Sequence, residues 1–517
     1  MREVDKFIEL RNELALKLEP AGIYAQKADW DFYTDSTEDN MKKSQKAWDN
    51  YSDLYKDEKM YKSFLGINKE SLPKHEQKQL KDILKSFDEE LNSGEEKKAL
   101  RDKESEIAKK INSYVYKIDK NEISKTELVK ILQTEKDTKI RQKAYETKVK
   151  AGDLIADDLI EFIKMRNGFA ENKGYNNYFE YKLKEDYDVE SEFLEILINE
   201  VYTKTSDKIK EIQNKKYSEL KKFFNVEKLE NYHYGILLDS NPEKEVNKIL
   251  SEYNIELISK QTYAGMGYDI ESLEKEGKLT LDLYPRKNKN THGFCFGIEP
   301  GKDSRILANL TNNVISLDTL NHELGHCVYD LGISIGLNYF DKQPASSAFT
   351  EAIAMMMGDI MKKENILTDI LPEGLSEKFK KSLKEDDANF VSRSLEIIEF
   401  EKELYKNPNQ NPKLLWKNIK KKYFNRDEQE DNEWATIPHY LSHPAYYQNY
   451  FRASLMKAQI YNHLHEVLGN ITENKKSANY LTENIFRHGA EIEEYDLIKI
   501  LTGREFSACD FIESILN

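Results

Sequence analysis

His322-Glu323-Leu324-Gly325-His326 brings together the residue types that metal-assisted hydrolysis needs. Two histidines at i and i+4 stand about 40° apart around a helix, so both imidazoles leave one face. Glu323 need not be a ligand; beside the first histidine it can act as a general base on a water. Two nitrogen ligands and an adjacent carboxylate are what zinc-assisted amide hydrolysis requires. The pentapeptide alone can arise by chance in a long acidic chain, but its surroundings argue otherwise. Ser316 offers an N-cap and Gly332 a stop. Between them Leu317, Leu320, Leu324, Cys327 and Val328 recur at helical spacing, which predicts a buried helix. A buried helix carrying two histidines and a glutamate needs something to satisfy them.

A catalytic zinc takes three protein ligands and keeps one position open. Glu351, in the segment from Pro344 to Asp359, supplies the third candidate. Ser346 or Ser347 can cap a second helix, which places Glu351 in its first or second turn. The alternative is a glutamate that merely favours the helix N-terminus. That alternative is weakened by the Ala, Ile and Met residues that follow it. The residues therefore predict one zinc ion per chain, held by His322, His326 and Glu351.

The elements that must position these residues are mostly helical. The 517 residues include only 11 Pro and 21 Gly and are rich in Lys, Glu, Asn and Ile. Long amphipathic helices are predicted over 75–94, 96–116, 138–172, 190–224 and 243–260. Near residue 262 the pattern changes. Leu279–Tyr284 alternates like a strand, and Phe294–Phe296 and Ile306–Thr311 follow as further strands. A small sheet beside a metal helix could pair its edge with an extended peptide, or could simply prop the helix. From residue 345 onward the chain reads as helical again. The division expected is rough: a helical lobe and lid over 1–260 and a zinc-site lobe over 261–517, together one catalytic unit.

Composition excludes some partners. A net charge of −15 argues against nucleic acid. Cys295, Cys327 and Cys509 fit no zinc ribbon or disulfide framework and suit a reducing compartment. The first ten residues have no apolar signal core, and no apolar run is long enough to span a membrane. The expectation is a cytoplasmic protein with no membrane and no obligate protein partner.

Several segments resemble a known family of gluzincin metallopeptidases, the angiotensin-converting enzyme family of peptidyl-dipeptidases. A secondary likeness is to the thimet oligopeptidases. Thr291–Ile306, with its Gly-Lys-Asp-Ser-Arg-Ile run, is similar to the converting-enzyme stretch that leads into the zinc helix. Leu281-Asp-Leu-Tyr-Pro-Arg286 is closer to thimet oligopeptidase, and Ala28–Asp35 and 141–182 are also family-like. Ile437–Phe451 resembles the family's histidine segment followed by Tyr-x-x-Tyr-Phe. The resemblance implies an elongated two-lobed helical body with a deep central channel, which would exclude folded proteins, and a small sheet beside the zinc helix. It implies Tyr450 and His439 as donors to the tetrahedral oxyanion, with His443 as the alternative histidine. It further implies Tyr447 and His292 as substrate-binding residues. Read without the resemblance, four tyrosines and two histidines within twelve residues would more often be a packing cluster.

Some positions depart from the converting-enzyme pattern. The His326-to-Glu351 spacing is that of thimet oligopeptidase. Asn449 replaces the basic residue linked to chloride activation, and Ile437 replaces the lysine that grips a substrate C-terminus. Met355 stands where an aspartate is expected, which leaves Asp359 or Asp318 to orient a ligand histidine. The function expected is zinc-dependent hydrolysis of short, unstructured peptides, in oligopeptidase or peptidyl-dipeptidase mode. A zinc carboxypeptidase is the alternative, and an inactive metal-stabilised binding protein is disfavoured because Glu323, Tyr450 and three ligands are all present.

Overall fold

A computed structural model describes residues 2–517, apart from the side chains at 365, 366 and 368. The expected mostly helical chain with a small sheet is what it shows. The helices predicted at 138–172 and 190–224 are Thr138–Asn172 and Ser191–Phe224. Their ends are written locally: Asp137 accepts the amides of Lys139 and Ile140, and Asn225 stops the second helix in the left-handed conformation. The helices predicted at 75–94 and 96–116 are Lys74–Asn92 and Gly94–Asn112.

Two expectations fail for identifiable reasons. The single helix expected over 243–260 is two, Pro242–Leu250 and Ile255–Met266. Asn254 takes an extended backbone and accepts the amides of Glu256 and Leu257, so it starts a new helix there. A hairpin also lies outside the expected elements, β1 (Tyr116–Ile118) with β2 (Asn121–Ile123), turning at Asp119 with φ +56°. Three-residue strands are too short for alternation to register.

The predicted sheet is present as β3 (Leu279–Asp282), β4 (Phe294–Glu299) and β5 (Asp303–Leu307). Its order is β3-β5-β4, with β5 parallel to β3 and antiparallel to β4. The last strand begins three residues earlier than expected and ends at Leu307. Lys289 fixes the β3–β4 connection, its buried ammonium donating to the carbonyls of Asp282, Tyr284 and Ala308 at 2.6–2.9 Å.

The contacts divide the chain into two compact units, interleaved in sequence rather than separated once near residue 260. The first comprises Met1–Glu95, Val246–Ser376 and Met456–Ser507. The second comprises Glu96–Glu245, Glu377–Leu455 and Ala508–Asn517. Segment 456–507 belongs with the first because its backbone packs directly on it. A Cβ on Gly265 would lie 2.1 Å from the Thr472 carbonyl, and one on Gly332 would lie 2.7 Å from Phe486. Among the described residues, no helix is long and apolar enough to cross a membrane.

Candidate metal centre

The two motif helices, Val314–Gly332 and Ser347–Lys363, pack against each other within the first unit. Gly325 makes the close crossing possible, since a Cβ there would stand 3.0 Å from both Ala354 Cα and Met357 Cγ. The second helix is capped by Ser346, which accepts the Phe349 amide, as expected. The first is capped by Asn313 instead of Ser316. Asn313 is extended and accepts the Ser316 amide at 2.8 Å, while Ser316 Oγ accepts from the Thr311 amide. Asparagine is as good a cap as serine, and it lies at the point where the backbone turns.

The crossing brings the three predicted ligands together. His322 Nε2 lies 3.2 Å from His326 Nε2 and 3.5 Å from Glu351 Oε2, and His326 Nε2 lies 4.0 Å from the same oxygen. Ligands roughly 2.0–2.1 Å from a tetrahedral zinc stand roughly 3.3 Å apart, so this set fits the ion. The cluster is made of donors that suit a divalent cation. Burial and the neighbouring His322 hold the His326 imidazole well below its usual range, so it stays neutral. Its Nδ1 lies 2.8 Å from Thr350 Oγ1, and with the proton on Nδ1 the Nε2 lone pair is left for a metal.

Thr350 performs the task expected of Asp318 or Asp359. Both aspartates are paired with lysines. Asp318 pairs with Lys362 at 2.8 Å, and Asp359 is held by Lys362, Lys363 and Lys457. Thr350 precedes Glu351 directly in sequence.

Glu323 is buried on the same helix. Burial pushes its carboxyl up to about 7, with Glu351 adding to the shift and His322 opposing it. The nearby Cys295 backbone amide also opposes the shift. A bound divalent cation would draw it back towards the carboxylate. Strand β4 reaches this carboxyl closely: a Cβ on Gly293 would stand 2.9 Å from Thr319 Cγ2 and 3.6 Å from Glu323 Oε1. His292, just before β4, is exposed, and its amide is held by Asn290 Oδ1.

The remaining predicted residues form a separate aromatic cluster inside the second unit. The His439 ring lies 4.8 Å from Tyr447, 5.9 Å from His443 and 6.2 Å from Tyr450. Tyr450 also packs on Tyr447, Tyr446 and Phe390. Burial and the His443 charge lower His439 to about 4, so its imidazole is neutral. Asn449, where a basic residue was expected, accepts from Arg452 at 3.2 Å, so a buried guanidinium lies one turn further on.

Two cysteines that fit no framework meet in space. Cys295 of β4 and Cys327 of the first motif helix are free thiols with sulfurs 3.0 Å apart, and Ser304 Oγ lies 3.1 Å from Cys327. Beside them burial pushes the Asp330 carboxyl up to about 7. Unfolded, it would ionise near 3.9. Between these values the folded state keeps a proton that the unfolded state has lost, so stability falls as pH rises from about 4 to about 7. Asp330→Asn should flatten that part of the profile. Urea midpoints measured at pH 5 and pH 8 test this, and an unchanged difference between them would show that Asp330 ionises normally.

The profile of Peptidase family M3 matches residues 131–515. The chain is 24% identical over 431 residues to an oligoendopeptidase F homolog of Borreliella burgdorferi, covering 77% of this chain and 67% of that one. It is 27% identical over 219 residues to oligopeptidase PepF of Bacillus subtilis, covering 38% of this chain and 31% of that one. Among solved structures, PZ peptidase A with inhibitor 2 is similar over 99% of this chain and 96% of that chain, with a TM-score of 0.72. At 18% identity that likeness shows a shared fold. These matches are compatible with the thimet-oligopeptidase likeness. The converting-enzyme likeness does not emerge from them, and they do not favour a carboxypeptidase.

Proposed function

Because the chain belongs to peptidase family M3, a family of metallopeptidases, we propose that it is a zinc-dependent oligopeptidase acting on short, unstructured peptides. The observation that carries this reading is the convergence of His322, His326 and Glu351 within one coordination sphere, with the buried Glu323 carboxyl on the same helix. Zinc suits two imidazoles and a carboxylate, and when bound it polarises the scissile carbonyl and lowers the pKa of water. Glu323 takes the proton of the attacking water and passes it to the leaving amine. Tyr450 donates its phenol O–H to the oxyanion, and neutral His439 still has one N–H to donate beside it. His292, Tyr447 and His443 hold the peptide. Peptide as substrate is also what the names of the two curated relatives say of those proteins.

Digestion of a mixed peptide library, read by mass spectrometry, tests this. Cleavage at internal bonds is expected. Release of single C-terminal residues, or no cleavage at all, would contradict it.

The reading also predicts a weak demand for a free C-terminal carboxylate. Ile437 is buried and apolar where a carboxylate-gripping lysine was expected. Lys182, whose charge lowers the His443 pKa, is paired with Asp186. Amidating one good substrate should therefore change kcat/KM by less than about tenfold, since a lost charge-assisted contact costs about 1.5–3 kcal/mol. Abolition of cleavage by amidation would reveal a carboxylate clamp.

A further inference from the structure

Between the short helix His439–Ser442 and the helix that begins at Tyr447, the backbone of the second unit passes through Ala445 in the left-handed region, with φ +60°. A residue with a β-carbon avoids that region unless its surroundings impose it. The imposing partner is Glu401, whose Oε1 accepts the Ala445 amide at 2.9 Å. Glu401 is only 3% exposed. Burial pushes its carboxyl up to about 8, so at neutral pH it is largely the uncharged acid.

A second group grips the same segment one turn earlier. A four-residue helix leaves its carbonyls without intrahelical partners. Arg166, on the Thr138–Asn172 helix, donates to the carbonyls of Tyr440 at 2.7 Å and Leu441 at 2.5 Å, and to Tyr405 Oη at 3.0 Å. Its guanidinium is 3% exposed and lies 3.9 Å from the Phe162 ring centroid. Burying a guanidinium and a carboxyl is expensive unless both are satisfied. Here the carboxyl accepts one main-chain amide of a short stretch, and the guanidinium donates to two main-chain carbonyls of it as well as to Tyr405 Oη and towards Glu104 at 3.9 Å. That stretch carries His443, is flanked by His439 and Tyr447, and leads into the helix that bears Tyr450.

We infer that Arg166 and Glu401 are positioning residues that clamp the backbone of 440–445 and so fix His439 and Tyr450 for oxyanion stabilisation. The inference rests on the roles proposed above for those two side chains. Neither clamp residue touches substrate. Each acts through the placement of a donor, and an error of about 1 Å in such a donor can cost on the order of 10²-fold in rate.

The test is steady-state kinetics on the zinc-loaded full chain. Glu401→Ala should lower kcat by about tenfold or more, with KM within about threefold and the metal retained. Glu401→Gln should stay close to wild type, because its amide oxygen still accepts the Ala445 amide. Adding Ala445→Gly to Glu401→Ala should restore most of the loss, since glycine takes φ +60° without strain. In a Tyr450→Phe background, Glu401→Ala should cost much less than in wild type, because its effect passes through Tyr450. Should Glu401→Ala fail to fold, Arg166→Lys keeps the charge, removes the fork and should give an intermediate fall in kcat. Wild-type kcat in the folded clamp variants, alongside an impaired Tyr450→Phe, overturns the inference alone. An equal loss in both backgrounds without rescue by Ala445→Gly also overturns it. Wild-type kcat in Tyr450→Phe itself overturns the underlying role and the inference with it.

Discussion

Glu323→Gln should lower kcat by about 10²- to 10⁴-fold while zinc stays bound. Glutamine has the shape of glutamate, so the close approach of the Gly293 segment to the helix survives. The three ligand atoms come from other residues and should keep their places. What is lost is the carboxylate proposed to take and return the proton. His326→Ala should behave differently and lose the metal, which separates a ligand from a base. The check is kcat on a quenched fluorescent peptide together with zinc content and melting temperature for each variant. Wild-type turnover by Glu323→Gln would show that another group is the base.

Tyr450→Phe should lower kcat by about 10²-fold with little change in KM, the signature of a hydrogen bond made only in the transition state. The ring should stay in place, because its contacts with His439, Tyr446, Tyr447 and Phe390 are made by aromatic faces and edges. Loss of the hydroxyl therefore leaves these ring contacts in place. If only KM moved, Tyr450 would be a binder of the ground state rather than a donor to the oxyanion.

What could be read from the sequence was local or periodic. The i,i+4 histidines, the apolar stripe around them and a carboxylate among Ala, Ile and Met are all visible without coordinates. So were most long helices, because their caps lie within three residues of their ends. The supports of the site were not visible, because they depend on close approach between distant segments. Cys295 reaches Glu323 because Gly293 lets strand β4 lie close to the helix, and nothing near Cys295 in sequence announces it. Asp359 is held by Lys457, from a helix about a hundred residues later, and nothing near Asp359 in sequence announces that pairing. Thr350 orients His326 because of a helix crossing set by Gly325. The interleaved units have the same origin, since the return of 456–507 to the first unit is a packing event with no local signature.

The central claim is that zinc held by His322, His326 and Glu351 makes this chain a peptidase. It is tested most directly by following cleavage of one unstructured peptide before chelation, after it and on titrating zinc back. The account predicts that activity vanishes on chelation and returns in full at about one zinc per chain. Cleavage that survives complete removal of metal would contradict it, as would a protein that stays inactive with one zinc bound.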